Sequence, residues 1–312
     1  MCVILVCGMA RATYVGLMAG TRIALVTGAT QGLGLALVEG LAARMAGGDH
    51  VFLTGRDPAR VEAEVGVVAG RLTGAGAEVH GRVVDVTSTA SVQAAADAIA
   101  AEYGGIDIVF SNAGSRMSPD RAPAEEVDQV AETYNHGALR MLRSFGPLLR
   151  PGGRFFVVAS ALGTLGQLDP RVRAPFERAR SLDDIERIVE SWRRAVHDGS
   201  ATELGWPGWL NLPSKVAQVA AVRVAAAQRR ERDLADGTLI AAVCPGLIDT
   251  AASRPWFTDM SRAQTPEEAA RALLDLGLAP SVDPKYYGEL VQFGAVLPWE
   301  GVATTPEVVS TT

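Results

Sequence analysis

Cysteine is scarce in this chain of 312 residues: Cys2, Cys7 and Cys244 are all there are. They have neither metal-ligand spacing nor an even disulfide framework, so a reducing cytoplasm is the expected compartment and no metal centre is expected. Cations are not in excess either, with 29 Lys and Arg against 35 Asp and Glu and a net charge of -6. A nucleic-acid partner needs clustered Lys and Arg on one face and is not expected here. The apolar opening from Met1 to Ala10 has no basic segment before it and is too short to cross a bilayer, which argues against a secretory leader and a membrane partner. Residues 1–20 read as a loosely held N-terminal extension, or as an upstream start preceding Met18. No internal repeat is found.

What the chain has in quantity is apolar residues, 48% of the total, with 33 glycines. Short β-branched runs alternate with longer Ala-rich stretches, the pattern of an α/β fold with a doubly wound parallel sheet covered by helices on both faces. Strands are expected at Arg22–Thr27, His50–Thr54, Glu78–Asp85, Ile106–Ser111, Gly153–Ala159, Thr238–Val243 and Leu290–Phe293. Helices are expected over Gly34–Ala43 and Thr89–Glu102, the second opened by a Ser/Thr cluster able to cap it. Residues 21–295 read as one Rossmann-type domain and 296–312 as a C-terminal tail. The stretch from about 164 to 205 breaks the alternation and reads as a helical insertion forming a lid or side wall of a site.

The first strand runs directly into Thr27-Gly-Ala-Thr-Gln-Gly-Leu-Gly34. Glycines at 28, 32 and 34 between a strand and a helix allow a tight turn and let backbone N–H groups approach a pyrophosphate, where the helix dipole favours negative charge. Thr30, Gln31 and Leu33 belong to the same cradle. At the end of the second strand, Phe52-Leu-Thr-Gly-Arg56 carries an arginine where a carboxylate would bond the adenosine ribose of NAD. That favours a 2′-phosphate and hence NADPH; the alternative is a surface arginine paired with Asp57.

Four further short motifs follow in order, each at a strand's C-terminal end: Asp85-Val86, Asn112-Ala113-Gly114, Ser160, and Pro245-Gly246. With the glycine turn they resemble the short-chain dehydrogenase/reductase superfamily from about Arg22 to Phe293. The resemblance implies that Asp85 and Val86 flank the adenine, that Asn112, Ala113 and Gly114 line the cofactor, and that Cys244 to Thr250, with Pro245, Gly246 and Ile248, sit near the nicotinamide. It further implies a catalytic set of Asn135, Ser160, a tyrosine and Lys215, the lysine also holding the cofactor ribose. Within the superfamily the chain looks most like monomeric carbonyl reductases, which share the insertion and a Gly-Trp-Pro segment, here Gly205-Trp206-Pro207. A monomer is therefore expected, a dimer remaining open.

In those reductases the tyrosine follows the tryptophan by five positions and precedes the lysine by four. Both counts fall on Asn211. Ketone reduction needs a hydride, a donor to the developing alkoxide and a proton, and an amide has no proton to give. The proton would then come from water, from a chain through Ser160 and Lys215, or from a phenol on the substrate itself, which is the reading preferred here because an intramolecular donor acts at high effective molarity. A small-molecule aromatic ketone would suit Trp206 and Trp209, whose alternative role is packing of the insertion. The lost tyrosine also resembles the angucyclinone-type ketoreductases that tailor aromatic polyketides in antibiotic biosynthesis. A cofactor-binding sensor without turnover and a non-redox enzyme on the same fold are the competing expectations.

Overall fold

A computed structural model describes residues 20–301 except 73 and 75. The N-terminal extension lies outside the described residues apart from Gly20, and so does most of the C-terminal tail.

Eight strands form one sheet: β1 (Ile23–Val26), β2 (His50–Gly55), β3 (Glu78–Val83), β4 (Ile106–Ser111), β5 (Leu149–Val158), β6 (Leu239–Cys244), β7 (Leu290–Gln292) and β8 (Ala295–Leu297), in the order β3-β2-β1-β4-β5-β6-β7-β8. The first seven are parallel and β8 pairs antiparallel to β7. The expected doubly wound parallel sheet is observed, with one antiparallel strand added at its edge: Phe293 at φ 48° and Gly294 at φ 76° turn the chain back in a tight hairpin. The tail boundary at 295 is corrected with it. Residues 295–301 belong to the body, since the Trp299 carbonyl accepts from the Leu165 N–H at 2.7 Å and the Arg223 guanidinium lies 5.3 Å over the Trp299 ring.

The central strands are apolar because both faces are covered. Ile23, Leu25, Phe110, Phe155, Phe156 and Ile240 are sealed from solvent, the signature of parallel strands between helical layers. The helices are α1 (Gly32–Arg44), α2 (Pro58–Arg71), α3 (Thr89–Tyr103), α4 (Pro123–Val130), α5 (Gly137–Phe145), α6 (Pro170–Arg178), α7 (Leu182–His197), α8 (Ala201–Leu204), α9 (Asn211–Ala235) and α10 (Pro266–Leu278). α3 is capped by Ser88, whose hydroxyl accepts from the Ser91 N–H at 3.2 Å. Strand order reverses between β1 and β4, so a crevice opens outside the carboxyl ends of these strands, where open α/β sheets bind ligands.

The insertion is helical as expected and consists mainly of α6, α7 and α8. α7 begins in a capping box between Ser181 and Asp184 and buries Ile185, Ile188, Val189 and Trp192. It packs on α4, on α9 and on the turn between α4 and α5. Trp206 is corrected here: it is 7% exposed, with its ring 6.3 Å from Phe176 and 6.4 Å from Trp192. The three rings form the interior of the insertion, so Trp206 packs its own segment.

Candidate active site

The glycine turn closes on β4. Gly28 has φ 62°, and a Cβ there would lie 2.7 Å from the Ala113 Cα. At Gly34 the space is tighter still, a Cβ falling 2.4 Å from the Gly28 carbonyl oxygen and 2.6 Å from the Asn112 Nδ2. Helix α1 starts with no side-chain cap and no acidic residue in its first turn. Its first N–H groups therefore remain available to an anion, at the positive end of the helix dipole. These features fit a dinucleotide pyrophosphate.

Asn112 has a structural task beside the cofactor role that the resemblance implied. Its Nδ2 donates to the carbonyls of Thr27 at 3.0 Å and Gly28 at 3.3 Å, while the Thr27 hydroxyl accepts from the N–H groups of Asn112 at 2.9 Å and Ala113 at 3.0 Å. The glycine turn and the end of β4 are stitched together, Asn112 supporting the cradle from behind.

Arg56 follows β2 directly, is exposed and makes no ion pair among the described residues. Asp57, its proposed alternative partner, instead caps α2 through the N–H groups of Ala59 and Arg60. Arg60, which the sequence reading passed over, donates to the Gln31 Oε1 at 3.0 Å and so brings a second guanidinium to the edge of the glycine turn. After β3, the Asp85 carboxylate accepts from the Thr87 N–H and hydroxyl, and Val86 is buried against Gly137. The Pro245 carbonyl accepts from the Gln264 Nε2 at 3.0 Å, and Gly246, at φ 86°, lies against Gln264 and Phe293. Ile248 forms an isolated parallel bridge with Gln264.

Ser160 stands at the end of β5 and accepts from the Leu162 N–H at 3.3 Å, which leaves its hydroxyl hydrogen free to donate. Asn211 is the first residue of α9 and is partly exposed, and its side chain makes no hydrogen bond among the described residues. Lys215 is one turn further, on the same face of the helix. It is buried, with its Nζ donating to the Gln218 Oε1 at 2.8 Å and lying 3.5 Å from the Val158 carbonyl. Burial without a carboxylate partner brings its pKa down to about 7, the Cys244 thiol slightly opposing the shift.

Asn135 is corrected in position. Its Nδ2 donates to the Ser214 carbonyl at 2.8 Å, which fixes the opening of α9, and its Oδ1 is buried without a hydrogen-bond partner. The residue that faces Lys215 is its neighbour Tyr134, whose ring centroid is 4.3 Å from the Nζ. Ala131–His136 is wound as a π-helix between α4 and α5, and its wider i→i+5 winding changes which side chain points inward. Gln218 was also missed, although its place three residues after Lys215 on one helix face was a readable signal. His136 is buried and bonded to Glu190 at 2.8 Å, while His197 is exposed and bonded to Asp128 at 2.7 Å, so both are otherwise engaged.

Trp209 is partly exposed just before α9. Its ring lies 5.6 Å from that of Trp256 and 6.4 Å from that of Phe257, which belong to the segment after β6. An aromatic group thus spans from the start of α9 to that segment. No helix among the described residues is long and apolar enough to cross a membrane.

A family model described as short chain dehydrogenase matches residues 22–169. A carbonyl reductase 3 of Rattus norvegicus, described as NADPH-dependent, is 31% identical over 292 residues, covering 89% of this chain and 99% of its own length. The corresponding carbonyl reductase 1 of Homo sapiens is 29% identical over 290 residues, covering 90% and 99%. The fold is also that of the menthone neomenthol reductase of Mentha piperita, with a TM-score of 0.70 at 24% identity over 89% of this chain and 100% of that one. With the glycine turn, the strand-end motifs and Lys215 in place, the chain belongs to the short-chain dehydrogenase/reductase superfamily, among relatives of the carbonyl-reductase type.

Proposed function

We propose that this NADPH-dependent short-chain oxidoreductase reduces a carbonyl of an aromatic, phenolic, polyketide-like ketone, with the final proton supplied by the substrate or by water. The observation that carries the reading is Asn211, a side chain with no acidic proton at the start of the lysine-bearing helix. The aromatic group of Trp209, Trp256 and Phe257 supports a flat apolar ligand.

The α1 N-terminus and glycine turn would hold the pyrophosphate, Arg56 and Arg60 the 2′-phosphate, and Lys215 the nicotinamide ribose. When bound, NADPH supplies a hydride to the carbonyl carbon. Ser160 donates its free hydroxyl hydrogen to the carbonyl oxygen, and Asn211 orients that oxygen through its amide. Lys215 contributes positive charge as the alkoxide develops. A phenol on the substrate, internally hydrogen-bonded to the carbonyl, then releases its proton to the alkoxide without leaving the complex.

The packing of α7 on α4 and α9 supports a monomer, because it covers helical faces that would otherwise be open to a second copy. The test of function is NADPH oxidation against two panels, one of simple ketones and one of aromatic ketones hydroxylated beside the carbonyl. Turnover is expected with the second panel and not the first. Equal turnover with both would overturn the substrate-derived proton, and tight NADPH binding with no turnover would favour a sensor.

A further inference from the structure

Lys215 is buried, and among the described residues no carboxylate pairs with it. Its Nζ has one close hydrogen-bond acceptor, the Gln218 Oε1 at 2.8 Å, and on another side the face of the Tyr134 ring at 4.3 Å. The two are joined to each other, since the Gln218 Nε2 donates to the Tyr134 carbonyl at 3.2 Å. Gln218 is 2% exposed and so uses its amide entirely within the protein. Tyr134 is fixed at its far end, its hydroxyl donating to the Ser115 carbonyl at 2.8 Å and its ring lying against Gly114. At Gly114 a Cβ would come within 2.8 Å of the ring, so the glycine is what lets the ring sit there.

We infer that Tyr134 and Gln218 are positioning residues for Lys215: the ring face and the amide oxygen together hold its ε-amino group at the end of β5 and favour its protonated form over what burial alone would leave. An aromatic face attracts a cation through the ring quadrupole, most strongly when the pair is desolvated, and Lys215 is buried. A neutral amide oxygen adds a charge-assisted hydrogen bond without the desolvation cost of a second buried charge. The Tyr134 phenol takes no part as an acid. Its hydrogen is committed to Ser115, and burial pushes it up to about 12.

The titratable groups facing Lys215 are few. The Cys244 thiol on β6 is pushed up by burial and the Tyr134 phenol likewise, so both are neutral near pH 7. His136, on the same π-helical turn, is turned toward Glu190 on α7. Ring and amide are therefore the nearest groups that stabilise the charge, with the Val158 carbonyl a longer contact at 3.5 Å. The inference rests on the reductase reading only for the use made of Lys215, not for the seat itself.

The chain has two lysines, Lys215 and Lys285, so the full-length protein labelled with ¹³C at the lysine ε carbon gives two resonances, assigned by the Lys285→Arg variant. Titration of wild type should show one midpoint near 7 and one, that of Lys285, raised above the ordinary lysine value by its pairing with Asp283. In Tyr134→Phe, which keeps the ring face, the low midpoint should stay within about 0.3 pH unit. Tyr134→Leu and Gln218→Leu should each lower it by about one pH unit, a tenfold change in the protonation constant. Gln218→Glu should raise it by more than one unit.

Folding is checked by the thermal midpoint and by an unmoved Lys285 signal. If Tyr134→Leu fails to fold, the opposite shifts of the two Gln218 variants decide. Coincident midpoints in wild type, Tyr134→Leu and Gln218→Leu would overturn the inference, and so would a Tyr134→Phe midpoint that falls as far as that of Tyr134→Leu. Because the titration needs no ketone, a failure of the proposed substrate class would show only in the turnover panels.

Discussion

Asn211 opens α9 and Lys215 follows one turn later on the same face of the helix; in the proposed reduction, position 211 is where an acid would act. The site has a cation and a hydroxyl donor but no proton of its own at position 211.

Asn211→Tyr should therefore supply the missing acid. Positioned proton donors contribute roughly 10²–10⁴-fold, so turnover of simple, unhydroxylated ketones should rise by about a hundredfold or more while the hydroxylated ones change little. Initial rates of NADPH oxidation with both panels check this. A uniform loss of activity would mean that residue 211 does not face the carbonyl.

Arg56 is exposed and makes no ion pair among the described residues, which suits it to a phosphate. Arg56→Ala should weaken NADPH binding by about 10-fold or more, the worth of one charge-assisted hydrogen bond, and leave NADH binding nearly unchanged. Arg60→Ala should act in the same direction. Nicotinamide fluorescence on titration with each cofactor measures the ratio.

Gly34→Ala places a Cβ where the Gly28 carbonyl and the Asn112 amide already lie. Backbone cannot yield as a flexible side chain does, so the turn must open, and a loss of about 1–3 kcal/mol of stability is expected together with loss of cofactor binding. Denaturant unfolding with and without NADPH separates the two effects.

Lys215 also sets a pH dependence of stability. Burial brings its pKa in the folded chain to about 7 against an ordinary lysine value of 10.5, so between these pH values the unfolded chain binds more protons than the folded one. Stability must rise with pH across that window, and the penalty is full below pH 7. Lys215→Met should remove this slope and be more stable than wild type at pH 6. Unfolding midpoints in urea from pH 6 to 10 test the sign.

The sheet was legible because its strands are buried on both faces and read as continuous apolar runs between Ala-rich helices, and the glycine turn was legible from its place between a strand and a helix. β8 was not, because three residues, Ala295–Leu297, are too few to show alternation. Tyr134 was not legible because the π-helical winding over Ala131–His136 alters the angular spacing of a regular helix, while Asn135, taken from the resemblance, bonds the Ser214 carbonyl. Trp206 and Trp209 look alike in sequence, and only tertiary packing separates the ring buried beside Trp192 from the one beside Trp256.

The central claim, that the substrate brings its own proton, is tested most directly by one matched pair: an aromatic ketone with a hydroxyl beside the carbonyl, and its O-methyl ether. With saturating NADPH the phenol should turn over and the ether should be slower by at least about a hundredfold while binding with similar affinity. Equal rates for the two would contradict the account and place the proton source in water or in the protein.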